Sequence, residues 1–245
     1  MFENKTVVIT GGASGMGFLC GKCYHEDGAN VVLVDINSEA LDKAVAEIGD
    51  RCIGCAIDIR DYEKVCQVRD KAVETFGSID ILINCAGGAE ARIMGFNGTF
   101  FDTPIEVYDW GIDVNLKGAL YFDHACMKQM AAQKSGVIIH LGSITGEEGS
   151  ASNPSYASSK CALMYGLTKS IAKAGAPYNV RCVCVAPGPV LTRPQMSNMK
   201  TLLGRAAEVQ EIVDMIMYVS GDKGAFLTGS HILIDGGRNA MDRPW

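Results

Sequence analysis

Seven short apolar runs divide this chain: TVVIT (6–10), NVVLVD (30–35), CIGCAID (52–58), IDILINCAG (79–87), GVIIHLG (136–142), NVRCVCVAPG (179–188) and SHILID (230–235). Between them lie longer stretches of helical period, such as SEALDKAVAEIG and DYEKVCQVRDKAVETFG, each closed by glycine where a left-handed C-terminal residue is wanted. Strands separated by helices run parallel, because a parallel pair needs a long crossover. Near-continuous apolar runs mark strands buried on both faces. The alternation therefore predicts an α/β fold: a doubly wound parallel sheet of about seven strands with helices on both faces. TPIE at 103–106 has the form of a capping box with proline at the first helical position, so a helix is expected to start there and run toward Met130. No composition shift or Pro/Ser-rich linker interrupts the pattern, and one domain is expected over 1–245.

The balance of charge narrows the partners. A net charge of −6 and a pI near 5.2 argue against a surface that gathers nucleic acid or anionic lipid. The start, MFENKTVVITGG, lacks the charged leader and apolar stretch of an export signal, and no run of about 18 apolar residues occurs. A cytoplasmic protein bound to neither membrane nor nucleic acid is expected. Cys20/Cys23 and Cys52/Cys55 have CxxC spacing, but the first pair falls in a predicted helix and the second in a predicted strand, so no metal site is expected. All ten cysteines read as small hydrophobes in a reducing compartment, and the four histidines as structural.

Ligands of such sheets bind at the carboxyl ends of the strands. The first strand is followed by TGGASGMG, with glycines at 11, 15 and 17 that permit a tight turn, close backbone approach to a pyrophosphate and close helix packing. The spacing is GxxxGxG, and no Lys-Ser/Thr pair follows to make a P-loop. Asp35 ends the second strand eighteen residues after Gly17, where a carboxylate takes ribose hydroxyls, or alternatively caps the next helix. Tyr156 and Lys160 in YASSK stand one helical turn apart, a spacing that on its own is compatible with no chemistry at all.

TGGASGMG, NCAG (84–87), Asn115 in DVNLKG, Ser143 in HLGSITG, Tyr156 and Lys160 in YASSK, and PGPVLT (187–192) occur in this order along nearly the whole chain. Together they resemble the short-chain dehydrogenase/reductase family. The resemblance implies a Rossmann-like fold, NAD as cofactor, a homotetramer, and a catalytic set of Asn115, Ser143, Tyr156 and Lys160. By the same resemblance the cofactor is held by Gly11, Ser14, Gly15, Met16, Gly17, Asp35, Asp58, Ile59, Asn84, Ala86, Gly87, Tyr156, Lys160, Pro187, Gly188, Val190 and Thr192. Cys85 stands where the family more often has a second asparagine. Tyr156 is then the acid/base of alcohol–ketone interconversion. A free tyrosine is only about 0.1% ionised at neutral pH, so a lysine ammonium nearby is needed to stabilise the phenolate. Ser143 is expected to hold the substrate oxygen, and Asn115 a water that relays protons beyond Lys160. A bare turn lacking charge beside Asp35 favours NAD over NADP.

The substrate is less constrained. Arg92 and Arg193 suit a carboxylate or phosphate, and Glu147 and Glu148 suit sugar hydroxyls, though each also reads as a solvated loop charge. A small polar hydroxy compound such as a polyol or sugar acid is expected. A 3-oxoacyl thioester is an alternative, as is a hydroxysteroid against the loop aromatics Phe96, Phe100 and Phe101. A non-enzymatic nicotinamide sensor is disfavoured because such proteins lose the tyrosine or lysine that this chain keeps.

Overall fold

The computed structural model describes residues 1–96 and 98–241; residues 97 and 242–245 of the expected domain lie outside them. Seven parallel strands form one sheet in the order β3-β2-β1-β4-β5-β6-β7. They are β1 (Thr6–Thr10), β2 (Asn30–Asp35), β3 (Cys52–Ala56), β4 (Ile81–Asn84), β5 (Gly136–Leu141), β6 (Val180–Pro187) and β7 (His231–Ile234). Each sits inside the apolar run that predicted it.

Strand alternation divides these runs between two cores. Leu33, Ile9, Ile83, Ile139 and Val183 stand side by side across five strands, all fully buried. They pack on α1 (Gly15–Glu26), α2 (Ser38–Ile48) and α10 (Val209–Ser220). The intervening residues Val8, Val32, Leu82, Ile138 and Cys182 face α3 (Tyr62–Phe76), α6 (Gly118–Gln133) and α9 (Thr168–Gly175). A one-residue slip of any strand would exchange its two faces, which is why register is tightly set.

The helix ends follow local chemistry. Asn37 caps α2 by accepting from the Ala40 N–H at 3.0 Å, and Asp61 caps α3 through the Glu63 and Lys64 N–H groups. The capping box expected at TPIE does not form. Thr103 Oγ1 donates instead to the Thr99 carbonyl at 2.7 Å, Pro104 is the N-cap, and α5 spans Ile105–Ile112. From there the helix continues through a wide π turn, Asp113–Lys117, into α6, so it does pass Met130. A second continuous helix joins α8 (Pro154–Cys161), a π segment (Ala162–Leu167) and α9. Cys20 and Cys23 lie on α1 and Cys52 and Cys55 on β3; all ten thiols are free, six buried and four half-buried. Among the described residues no His/Cys/Asp/Glu group is placed to hold a metal, and no helix is long and apolar enough to cross a membrane.

Candidate active site

The winding of the sheet reverses between β1 and β4, and the loops leaving those two strands meet above the crevice. They approach so closely that a Cβ on Gly11, at φ +67°, would lie 2.9 Å from Ala86 Cα. One on Gly17 would lie 2.2 Å from the Gly11 carbonyl oxygen. No side chain fits at either place, and the bare backbone leaves the start of α1 open to a ligand.

Two adjoining cavities, of 440 and 330 Å³, share Met16, Cys85, Gly87, Arg92, Leu141 and Thr192 as a common wall. The first takes in the glycine turn (Gly11, Ser14, Gly15, Gly17), Asp35, Asp58 and Ile59 at the ends of β2 and β3, and Ala86. Asp35 is fixed there by two backbone donors: Oδ2 accepts from the Ala13 N–H at 3.1 Å and Oδ1 from the Asn37 N–H at 3.0 Å. Both oxygens keep further acceptor capacity for ribose hydroxyls. Asp58 is committed elsewhere. Arg60 forks onto it, Nε at 3.0 Å and Nη2 at 2.6 Å, and holds its carboxyl below the usual carboxylate range. Arg60 is a cation on this wall that the sequence reading missed, although its charge is offset by Asp58.

The second cavity holds the chemistry. Tyr156 and Lys160 from α8 face it with Ser143, Pro187, Gly188 and Val190. Lys160 is 3% exposed, donates to the Leu141 carbonyl at 2.7 Å, and places Nζ 5.5 Å from the centre of the Tyr156 ring. Its ammonium retains two further protons. Ser143 Oγ accepts from the Thr145 N–H at 3.1 Å, which leaves the hydroxyl hydrogen for a ligand.

Three expected residues are not among those lining the two cavities. Asn115, in the π turn, spends its amide on backbone: Nδ2 donates to the Gly88 and Gly111 carbonyls, and Oδ1 accepts from the Gly88 N–H at 2.8 Å. It braces the loop behind Gly87, which answers why a polar residue is buried there. Asn84 turns to α6, donating to Asp123 Oδ1 at 2.8 Å. Glu147 accepts from the Tyr165 hydroxyl, pushing that phenol up to about 12, and lies 3.6 Å from His231 Nε2. Its neighbour Glu148 is paired with Arg238 at 2.8 Å. Partners distant in sequence claim each of these side chains.

Arg92 and Arg193 both line the cleft beside Tyr156. Partial desolvation, then the Arg193 charge, lower the pKa of Arg92 from its ordinary value. Arg193 Nη2 donates to Met196 Sδ at 3.2 Å, and among the described residues neither guanidinium has a carboxylate partner. Met196 and Met199 of the segment after β6 also line this cavity, whereas Phe100 and Phe101 are exposed away from it.

A glycine turn beneath a cavity of 440 Å³, with Ser143, Tyr156 and Lys160 gathered next to it, fits a nicotinamide dinucleotide and a hydroxyl-bearing substrate. The family model described as short chain dehydrogenase matches residues 5–202. The chain belongs to the short-chain dehydrogenase family. Among its relatives, the trans-4-hydroxycyclohexanecarboxylate dehydrogenase of Sinomonas cyclohexanicum is 35% identical, over 96% of this chain and 93% of that one. The 3-oxoacyl-[acyl-carrier-protein] reductase of Thermotoga maritima is 31% identical, over 96% and 98%. Among solved structures, a short chain dehydrogenase of Bacillus anthracis superposes with a TM-score of 0.90 at 27% identity over 100% of both chains. An NAD+-bound xylitol dehydrogenase does so with 0.86 at 27%, over 96% and 99%. This dehydrogenase is thus a nicotinamide-dependent oxidoreductase acting between alcohol and ketone.

Proposed function

We propose that the protein uses NAD to interconvert a secondary alcohol and a ketone on a small hydroxy compound that carries a carboxylate, a sugar acid or cyclic hydroxy acid being typical. The observation behind this is the pair of guanidiniums, Arg92 and Arg193, held next to each other and to Tyr156 without an acidic partner. Two cations facing one cleft repel unless an anion enters, and a carboxylate accepts bidentate hydrogen bonds from such a fork. A relative at 35% identity that acts on a hydroxycarboxylate supports the same class. The aromatic residues that would have formed a steroid wall do not line the cleft.

In the oxidising direction Tyr156 as phenolate takes the substrate's hydroxyl proton. Ser143 donates to the oxygen as it becomes a carbonyl, and the Lys160 ammonium offsets the phenolate charge. The nicotinamide ring supplies the hydride acceptor. For the cofactor, Asp35 at the ribose and Asp58 neutralising Arg60 both disfavour a 2′-phosphate, and a neighbour in fold binds NAD+. Ten free thiols suit the reducing cytoplasm, and a homotetramer is carried over from the family.

The test is a panel of secondary alcohols presented as matched pairs with and without a carboxylate, with NAD reduction followed by absorbance. The carboxylates should be preferred, and Arg92→Ala with Arg193→Ala should raise KM for them at least about tenfold. Equal turnover of charged and uncharged members, or preference for a 3-oxoacyl thioester, would overturn the substrate class.

A further inference from the structure

The first turn of the helix that carries Tyr156 is not capped by its own N-cap residue. Asn153 occupies that place, but its Oδ1 accepts from the Ala91 N–H at 3.1 Å, in a different element. The vacancy is filled from the same element in return. Glu90 opens the short helix α4 (Glu90–Ile93), is fully buried, and spends both carboxylate oxygens on this turn. Oε1 accepts from the Ser155 N–H at 2.8 Å and Oε2 from the Tyr156 N–H at 3.1 Å. The two helix starts therefore cap each other. Gly111 on α5 closes over the junction, where a Cβ would stand 2.6 Å from Ser155 Cβ. Among the described residues no cation lies within hydrogen-bond reach of this buried carboxylate; two charge-assisted bonds and the positive end of the helix offset its desolvation.

We infer that Glu90 is a positioning residue that fixes Tyr156 relative to Arg92. Its carboxylate holds the backbone of Tyr156 itself, and two residues further along α4 Arg92 enters the same cleft. Asn115 pins the other end of this segment through both the N–H and the carbonyl of Gly88. The separation between the proton-transferring hydroxyl and the guanidinium that holds the substrate anion is thus set by Glu90, with Asn153 as its reciprocal partner. An error of about 1 Å in such a separation costs about 100-fold in rate. Sequence reasoning had no reason to select an acid in the loop after the fourth strand, because its partners lie 65 and 66 residues away.

The inference rests on Tyr156 as acid/base, so Tyr156→Phe serves as the reference. Glu90→Gln keeps the volume and one oxygen but sets an amide N–H against a backbone N–H. On full-length protein with NAD, and whichever secondary alcohol the panel shows to be oxidised, kcat should fall roughly 10- to 100-fold. The Kd for NAD should stay within about twofold, and the effects of Glu90→Gln and Arg92→Ala should be non-additive, as expected of residues acting as a unit. Wild-type kcat in Glu90→Gln beside an inactive Tyr156→Phe overturns the inference and leaves the function standing; an active Tyr156→Phe overturns the function. Equal losses of NAD affinity and turnover, or strict additivity with Arg92→Ala, reduce Glu90 to a structural residue and also overturn it. Should Glu90→Gln fail to fold, Asn153→Ala removes the reciprocal bond from a less buried position. It should lower kcat at least about threefold with NAD affinity unchanged, and unchanged turnover there overturns the inference.

Discussion

Tyr156 can be tested by removing a single oxygen. Tyr156→Phe deletes the proton carrier and little else, since among the described residues that hydroxyl makes no hydrogen bond and faces the cleft. Turnover should fall by at least about 1,000-fold while NAD binding, followed by fluorescence, is nearly unchanged. A variant that keeps most of the wild-type rate would remove Tyr156 from the chemistry. Asp35 makes the second test. Its carboxylate faces the cavity between the Ala13 and Asn37 amides and would meet the roughly two negative charges of a 2′-phosphate. Catalytic efficiency with NAD should exceed that with NADP by at least about tenfold, or about 1.4 kcal/mol. Asp35→Ala should narrow the gap, and parity in the unmodified enzyme would show that the carboxylate does not read the ribose. These residues were legible because each sits at a fixed offset within a local motif. Glu90 and Arg60 were not, since what gives them a role is a partner or wall contributed by the fold; the Tyr165 and His231 partners of Glu147 were hidden for the same reason.

Elements are tied together beneath the site by an ion pair with no exposure to water. His140 on β5 places Nε2 2.9 Å from Asp123 Oδ2 on α6 and Nδ1 2.9 Å from Thr168 Oγ1 on α9, while Asn84 at the end of β4 donates to the same carboxylate. Burial works to lower the imidazole pKa, but the Asp123 charge, with Cys182, outweighs it and raises the pKa well above the ordinary value. A raised folded pKa means that this contribution is complete below the unfolded value of about 6.5 and is lost as pH climbs through the folded one. The melting temperature of the wild type should accordingly decline with rising pH above about 6.5 more steeply than that of His140→Gln; parallel curves would show that His140 is neutral in the fold. Asp123→Ala strands a buried imidazolium and should cost roughly 3–5 kcal/mol, or roughly 6–20 °C in Tm. The double variant Asp123→Leu with His140→Leu should be milder than the two single changes added together. All seven strands were readable from apolar runs, yet this tie was not. Periodicity marks which face of an element is buried, whereas the pairing of polar groups on that face depends on register between elements. TPIE failed likewise, because Thr103 found the Thr99 carbonyl before it could cap α5.

At the scale of the whole molecule, several large apolar side chains are left to solvent. By helical spacing alone, Leu120, Phe122, Leu163, Met164 and Leu167 suit core and interface equally. Packing separates them: Phe122, Leu163 and Met164 are buried in the chain, Leu167 is half-buried, and Leu120 is 42% exposed. Tyr165 is 42% and Ile112 37% exposed on the same two long helices, α5–α6 and α8–α9. At the sheet's edge, β7 is only half-buried along all four residues, while β1 is buried throughout, and Phe226 just before it is fully exposed. An uncovered edge strand with an unburied aromatic beside it is an invitation to pairing that proteins ordinarily suppress. Two separate uncovered faces, one on the helices and one at β7, are what a tetramer with two kinds of contact requires. Light scattering should therefore give about 105 kDa, four times the 26.2 kDa chain. Leu120→Glu, which puts a charge on the helical face alone, should leave a dimer of about 52 kDa joined at β7, with the Tm reduced and the fold retained, because burying an unpaired carboxylate costs more than the contact returns. A wild-type protein of 26.2 kDa at working concentration would show that these faces are left to solvent. A Leu120→Glu protein that remains tetrameric would place the helical contact elsewhere.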